Sequence, residues 1–191
     1  MVSFQDLDLS KKYSYADYLT WKFNERVELY LGKVVKMSPA PNLQHQRISG
    51  IIFIEIGIFL KKKPCQVFAA PFDVRLPFAK SKKIDTVVQP DITIICDEAK
   101  LDKQGCIGAP DIVMEILSPG NTKKEMREKL LIYQDAGIPE YWLIDPEHEF
   151  ILLYHLDELG KYNSSLPFVE DDIIKSKVLN GFELDVKEVF S

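Results

Sequence analysis

An acidic residue inside an apolar run is the first feature of this sequence that could perform chemistry. In the segment 111–119 (DIVMEILSP), alternate residues of a strand face opposite sides of a sheet, so Glu115 shares a face with Val113 and Leu117. An unpaired charge in such a buried strand costs several kcal/mol. Glu115 therefore requires a cationic side chain, a metal ion or a raised pKa.

Two further residues could complete a site around Glu115. Asp91 begins a second apolar strand (DITIIC), and neighbouring strands would bring the two acids together. Converging carboxylates suit Mg²⁺ or Mn²⁺, which lower the pKa of bound water and offset charge during phosphodiester hydrolysis. Lys129 borders the core-facing stripe of a helix predicted over about 123–136, where its ammonium could orient water or offset phosphate charge.

The same three residues have a purely structural interpretation. Asp91 could only begin its strand, and Glu115 and Lys129 could form a buried ion pair. Lys129 could also extend its ammonium to solvent. Spacing alone does not choose between these readings, because structural ion pairs perturb charges as active sites do.

Composition and pattern predict a single α/β domain. The chain has 191 residues, of which 46% are hydrophobic and 28% charged, a balance that suits one core. We divide it into an N-terminal helix and hairpin (1–41), a central core (42–145) and a C-terminal hairpin (146–191). The core is predicted to contain a helix starting at Asn42 and a single central strand over 87–96.

Several classes of protein are disfavoured. No glycine-rich phosphate loop opens a helix, so we expect no nucleotide cofactor. No apolar run is long enough to span a bilayer, and we expect no membrane segment and no signal peptide. The three cysteines form no C-x-x-C pair, which predicts reduced thiols, no disulfide and a cytoplasmic location. The net charge of −5 argues against coating nucleic acid by bulk charge.

The string PDITII, followed by EILSPGNTKKEMREKLLIYQDAGIPEYWLIDP, resembles the Uma-type restriction endonucleases. These form a branch of the PD-(D/E)XK nuclease superfamily, and the resemblance covers nearly the whole chain. It implies a restriction-endonuclease-like mixed β-sheet flanked by helices, with the core (42–145) as the nuclease core. It also implies a Mg²⁺- or Mn²⁺-dependent site, DNA as the substrate and a homodimer.

The resemblance assigns roles to individual positions. The family's metal-binding acids match Asp91 and Glu115. The superfamily's lysine normally lies two residues after the glutamate, where this chain has Leu117, and Lys129 on the next helix matches it instead. The remaining matches are His45 and Glu28, which approach the metal, and the supporting residues Ser118, Tyr133 and Glu125, the last standing where relatives often carry aspartate.

Basic residues on the same helix, Lys123, Lys124 and Arg127, are predicted to contact the DNA backbone. Two other functions stay open. One is a nuclease-like module that binds nucleic acid or protein without catalysis, and the other is a different metal-dependent hydrolase. The acidic net charge and the lack of a DNA-reading domain weaken a role in sequence-specific restriction.

Overall fold

The computed structural model describes residues 4–22, 24–37, 42–78 and 83–191. Its helices are α1 (Tyr15–Tyr18), α2 (Leu43–Leu60), α3 (Lys123–Asp135) and α4 (Val186–Phe190). Its strands are β1 (Val27–Tyr30), β2 (Lys33–Lys36), β3 (Gln66–Ala69), β4 (Val74–Arg75), β5 (Val87–Val88), β6 (Ile92–Ile95), β7 (Leu101–Asp102), β8 (Gly105–Ile107), β9 (Ile112–Ile116), β10 (Glu140–Asp145), β11 (Phe150–Leu156), β12 (Tyr162–Ser164), β13 (Ile173–Lys175) and β14 (Glu183–Asp185).

The predicted α/β class is confirmed, and the described strands form two six-stranded sheets and one small pair. The first sheet has the order β2-β1-β5-β4-β8-β7, and the second has the order β12-β11-β10-β9-β6-β3. Both are mixed, since β4 pairs with β8 in parallel and β9 pairs with β10 in parallel. The pair β13-β14 stands apart. The predicted C-terminal edge hairpin is β11-β12.

The segment 87–96 departs from the prediction of a single central strand. Its first part, β5, pairs in the first sheet, and its second part, β6, pairs in the second sheet. Pro90 separates the two, and proline cannot donate a ladder hydrogen bond. The chain therefore crosses between the sheets at Gln89 to Asp91, which places these residues at the junction of both.

Two apolar layers cover the second sheet. On one face, α2 packs through residues spaced one helical turn apart, Ile48, Ile52, Ile56 and Leu60, all of them buried. On the other face lie α3 and the first sheet, whose core includes Tyr133 and Ile132. Glu115 shares a strand face with Val113, which belongs to this second layer. The acid therefore points between the sheets, towards α3.

Side-chain caps and a glycine define the ends of α2 and α3. The Asn42 side chain accepts a hydrogen bond from the His45 amide at 2.9 Å and caps α2, which begins at Leu43. Thr122 and Glu125 form a capping box at the start of α3. Gly137 follows α3 with φ +77°, the left-handed conformation that favours glycine. The sequence favours an end of the first hairpin at Pro39 and Pro41, and both prolines lie outside the described residues.

The prediction of reduced, unpaired cysteines is wrong at two positions. Cys65 and Cys96 form a disulfide, whereas Cys106 is free and buried. The cause is the pairing of β3 with β6, in which Gln66 lies opposite Ile95 and so brings the preceding and following cysteines together. This partnership is not visible in sequence spacing, and the expectation of a cytoplasmic location loses the reduced thiols on which it depended.

The helix α2 is apolar around most of its circumference but not fully covered. Ile54 and Ile58 are 57% and 65% exposed on its outer side. Among the four described stretches of the chain, no helix combines the length and the hydropathy that crossing a bilayer requires.

Candidate active site

Asp91 and Glu115 face each other across two neighbouring strands. β6 and β9 are antiparallel with Ile92 opposite Met114, so the next pair outward in this register is Asp91 with Glu115. Directly opposed residues project to the same side of a sheet, with Cβ atoms about 4.5–5.5 Å apart. The Asp91 carboxylate is fixed by the Ile116 amide, which donates to Oδ2 at 2.8 Å.

Lys129 supplies the cation that Glu115 requires. Its Nζ lies 2.8 Å from Glu115 Oε1, and the Tyr133 hydroxyl donates to the same oxygen. Burial raises the pKa of Glu115, and the Lys129 ammonium lowers it. The negative charges of Asp91 and Glu28 raise it again, so the pKa of Glu115 stays above its ordinary value. Burial lowers the pKa of Lys129, but the carboxylates of Glu115 and Glu28 outweigh this effect, so the ammonium stays protonated.

Glu28 joins the site from the first sheet. Its side chain is buried on β1, and Oε1 lies 3.5 Å from Lys129 Nζ. Two donors hold the carboxylate: the Tyr30 hydroxyl at 2.7 Å from Oε2 and the Gln89 amide at 2.8 Å from Oε1. Lys129 is therefore clamped between acids from different sheets. Tyr30 and Gln89 were not predicted, although Gln89 precedes the Pro90–Asp91 pair that the sequence singles out.

His45 reaches Asp91 from the start of α2. Its Nε2 lies 3.2 Å from Asp91 Oδ2, and its Nδ1 is buried with no hydrogen-bond partner among the described residues. Burial lowers the pKa of His45, but the hydrogen bond and charge of Asp91 outweigh burial and raise it. The structure thus brings this predicted residue to the acid pair.

Ser118 and Glu125 lie on the wall of the same cleft. The Ser118 amide donates to Asn121 Oδ1 at 2.6 Å, which shapes the turn before α3. Glu125 uses Oε2 to accept from the Thr122 amide at 2.8 Å. Its carboxylate therefore caps the helix one turn before Lys129.

The predicted DNA-contacting residues lie elsewhere. Lys123, Lys124 and Arg127 are exposed on α3 and do not line the cleft. The cleft-lining basic residues besides Lys129 are Arg26 and Lys36, which come from the first hairpin. The sequence analysis did not predict either residue, since a charged residue in or beside a strand gives no sign of which cleft it borders.

The cleft has a volume of about 200 Å³ and contains the acid pair, His45 and Lys129. No cluster of three or more metal-ligating His, Cys, Asp or Glu side chains occurs within the described ranges. Mg²⁺ does not require one, because it commonly binds one or two carboxylates and completes its shell with water and phosphate oxygens. Each acid here also keeps a second oxygen outside the hydrogen bonds given above. The donor set fits a divalent ion of this kind.

A solved structure with the same fold identifies the fold class of this chain. The fold matches that of a protein from Anabaena variabilis described as a "putative nuclease belonging to DUF820", with a TM-score of 0.74. The two chains are 21% identical, and the match covers 93% of this chain and 97% of the other. The chain therefore shares the mixed α/β fold of that protein, in agreement with the fold class that the resemblance implied.

The family follows from the sequence itself. The model of the Uma2 family, whose description is "Putative restriction endonuclease", matches residues 15–187. The chain belongs to this family. No curated protein matches it significantly.

Proposed function

We propose that this chain is a divalent-metal-dependent endonuclease that hydrolyses phosphodiester bonds in DNA. The observation that carries the proposal is the convergence of Asp91 and Glu115 from adjacent strands, with Lys129 Nζ 2.8 Å from Glu115 Oε1. Charged side chains are costly to bury at the end of a sheet, and a cleft that gathers several of them with perturbed pKa values is a candidate functional site. Family membership points to the same chemistry.

In this proposal Asp91 and Glu115 hold Mg²⁺ or Mn²⁺. When bound, such an ion lowers the pKa of a coordinated water and offsets negative charge on the phosphate. The Ile116 amide holds Asp91 in position, and the Tyr133 hydroxyl does the same for Glu115. Both acids are therefore preorganised before any ion arrives.

Lys129 holds positive charge beside the acids, where it orients the attacking water or offsets the phosphate charge. Glu28 keeps the ammonium in place from the opposite sheet, at 3.5 Å. His45 donates from Nε2 to Asp91 and presents Nδ1 as a buried polar atom. We assign Ser118 and Glu125 to shaping the cleft wall.

DNA binding and dimer formation extend the proposal. The exposed Lys123, Lys124 and Arg127 would contact the backbone of the duplex at a distance from the cleft, where phosphate contacts position a nucleic acid without reading its sequence. We propose a homodimer because one active site cuts one strand.

A cleavage assay tests the proposal. Asp91→Asn and Glu115→Gln keep the side-chain size and remove the charge, so each should lower cleavage of DNA in Mg²⁺ or Mn²⁺ by about two orders of magnitude or more. Chelation with EDTA should abolish it. Glu158→Gln, in an exposed turn outside the cleft, is the matched control and should cleave normally. Cleavage that survives Glu115→Gln, or that persists in EDTA, would contradict the assignment.

One observation favours a second candidate, a nuclease-like binding module without catalysis. Glu115 Oε1 is already engaged by Lys129 and Tyr133, and this arrangement satisfies a buried charge without any metal. If the chain is such a module, the wild-type and Asp91→Asn proteins should bind DNA with equal affinity, and neither should cleave it.

A further inference from the structure

A second cleft lies beside the candidate active site. It has a volume of about 300 Å³, and Tyr18 and Trp21 form its aromatic wall. Their ring centroids are 5.8 Å apart with an interplanar angle of 56°. Arg26 and Gln89 line both clefts, so the two clefts adjoin each other at these residues.

Gln89 fixes the boundary between the clefts by using its whole amide group. Its Oε1 accepts from Arg26 Nη2 at 2.8 Å, and its Nε2 donates to Asp73 Oδ1 at 2.7 Å and to the Tyr18 hydroxyl at 3.3 Å. Its backbone amide donates to Glu28 at 2.8 Å. Through Gln89, the positions of the Arg26 and Tyr18 side chains are therefore fixed relative to Glu28 in the first cleft.

We propose that the second cleft binds an unpaired nucleobase of the substrate strand, one nucleotide away from the cleaved phosphodiester. The proposal rests on the proposed function, which supplies the phosphate position. The base would lie against Tyr18 and Trp21, since every base has a face that stacks on aromatic rings. Arg26 would contact the intervening phosphate, for which the guanidinium fork is well shaped.

Size and polarity support a base as the occupant. A volume of about 300 Å³ is at the lower end of small-molecule sites. Asn24 and Glu25 also line the cleft and offer hydrogen-bonding groups to a base edge. A base inside an intact duplex cannot reach such a wall, because its faces are stacked on its neighbours. The preferred substrate is therefore a strand with an unpaired nucleotide beside the cleavage position.

Binding can be measured with the Asp91→Asn variant of the whole chain in EDTA, where no cleavage is expected. Trp142 is buried and Trp21 lines the cleft, so quenching of tryptophan fluorescence by an oligonucleotide reports on Trp21. The ligands are a single-stranded oligonucleotide, the same strand with one abasic site placed in turn at each position, and the full duplex. Adding Trp21→Leu removes the reporter and part of the wall. Phe150→Leu, a half-buried aromatic outside both clefts, is the control.

We expect one abasic position to weaken binding about tenfold or more, and Trp21→Leu to remove both the quenching and that position's effect. Phe150→Leu should change neither. The abasic series needs no protein variant, so it stands even if Trp21→Leu does not fold. Equal affinity for all abasic strands, with quenching absent, would overturn the proposal.

Parallel cleavage by the wild-type protein separates this proposal from the proposed function. If the wild-type protein cleaves every abasic strand at the same rate, base binding in the second cleft is contradicted and the endonuclease proposal is supported. If binding depends on Trp21 and on one base but the wild-type protein cleaves nothing, base binding in the second cleft is supported and the endonuclease proposal is contradicted. Neither binding nor cleavage would refute both.

Discussion

Replacing Lys129 by methionine tests whether one ammonium holds the site together. Methionine keeps most of the length of the side chain and removes the charge. In the wild type, Lys129 Nζ lies 2.8 Å from Glu115 and 3.5 Å from Glu28. The variant would leave both carboxylates in surroundings where their side chains are 12% and 3% exposed.

The size of the effect follows from the partners that remain. Removing one member of a buried ion pair costs about 3–5 kcal/mol, because the other charge is stranded. We expect the lower end, about 3 kcal/mol, since hydroxyls of Tyr133 and Tyr30 still donate to the two acids. Adding Glu115→Gln to Lys129→Met removes one stranded charge and keeps an acceptor for Tyr133. About half of the lost free energy of unfolding should return.

Urea denaturation followed by circular dichroism measures these differences as shifts of the midpoint at constant slope. The matched control is Lys124→Met, on the same helix, whose side chain is 83% exposed and lies 4.0 Å from Glu128. It should change stability by less than about 0.5 kcal/mol. A loss for Lys129→Met as small as the control, or a double variant no more stable than the single one, would refute the reasoning.

Three further predictions concern stability away from the cleft. Reducing the Cys65–Cys96 disulfide, with sequence separation 31, should lower the free energy of unfolding by about 3–4 kcal/mol, and Cys65→Ser should remove that sensitivity to dithiothreitol. Glu140 is fully buried and accepts from the Trp142 indole and from two backbone amides near residue 177, so Glu140→Ala should cost about 3 kcal/mol in urea denaturation. Burial lowers the pKa of His155 below its ordinary 6.5, so the unfolded chain binds a proton first. The contribution of His155 to stability should therefore be complete above that pH and be lost as the pH drops below it. His155→Asn should reduce the loss of thermal stability over this acidic range, whereas an unchanged slope would contradict the assignment.

Local signals accounted for the elements that carry the site. Asn42 and Thr122 begin helices as capping residues should, and Gly137 follows α3 in the left-handed conformation. The alternation around Glu115 predicted that it shares a strand face with Val113 and Leu117, and the helical spacing predicted that Lys129 borders the core-facing stripe of its helix. Each of these inferences uses residues within a few positions of one another.

Contacts between distant segments were beyond the reach of such signals. The Gln89 amide donates to Glu28, and Glu28 lies beside Lys129, only because the chain changes sheets at Pro90. The pairing of β3 with β6 likewise brings together Cys65 and Cys96, which their sequence spacing did not predict to pair.

The sequence by itself determined the element types, the α/β class and the three charged residues of the candidate site, since periodicity and capping are short-range effects. The tertiary structure alone decided which strands are neighbours, and with that the opposition of Asp91 and Glu115, the clamp of Glu28 on Lys129 and the second cleft. The physical reason is that strand pairing is a long-range choice, set by how the whole core packs and not by any one segment.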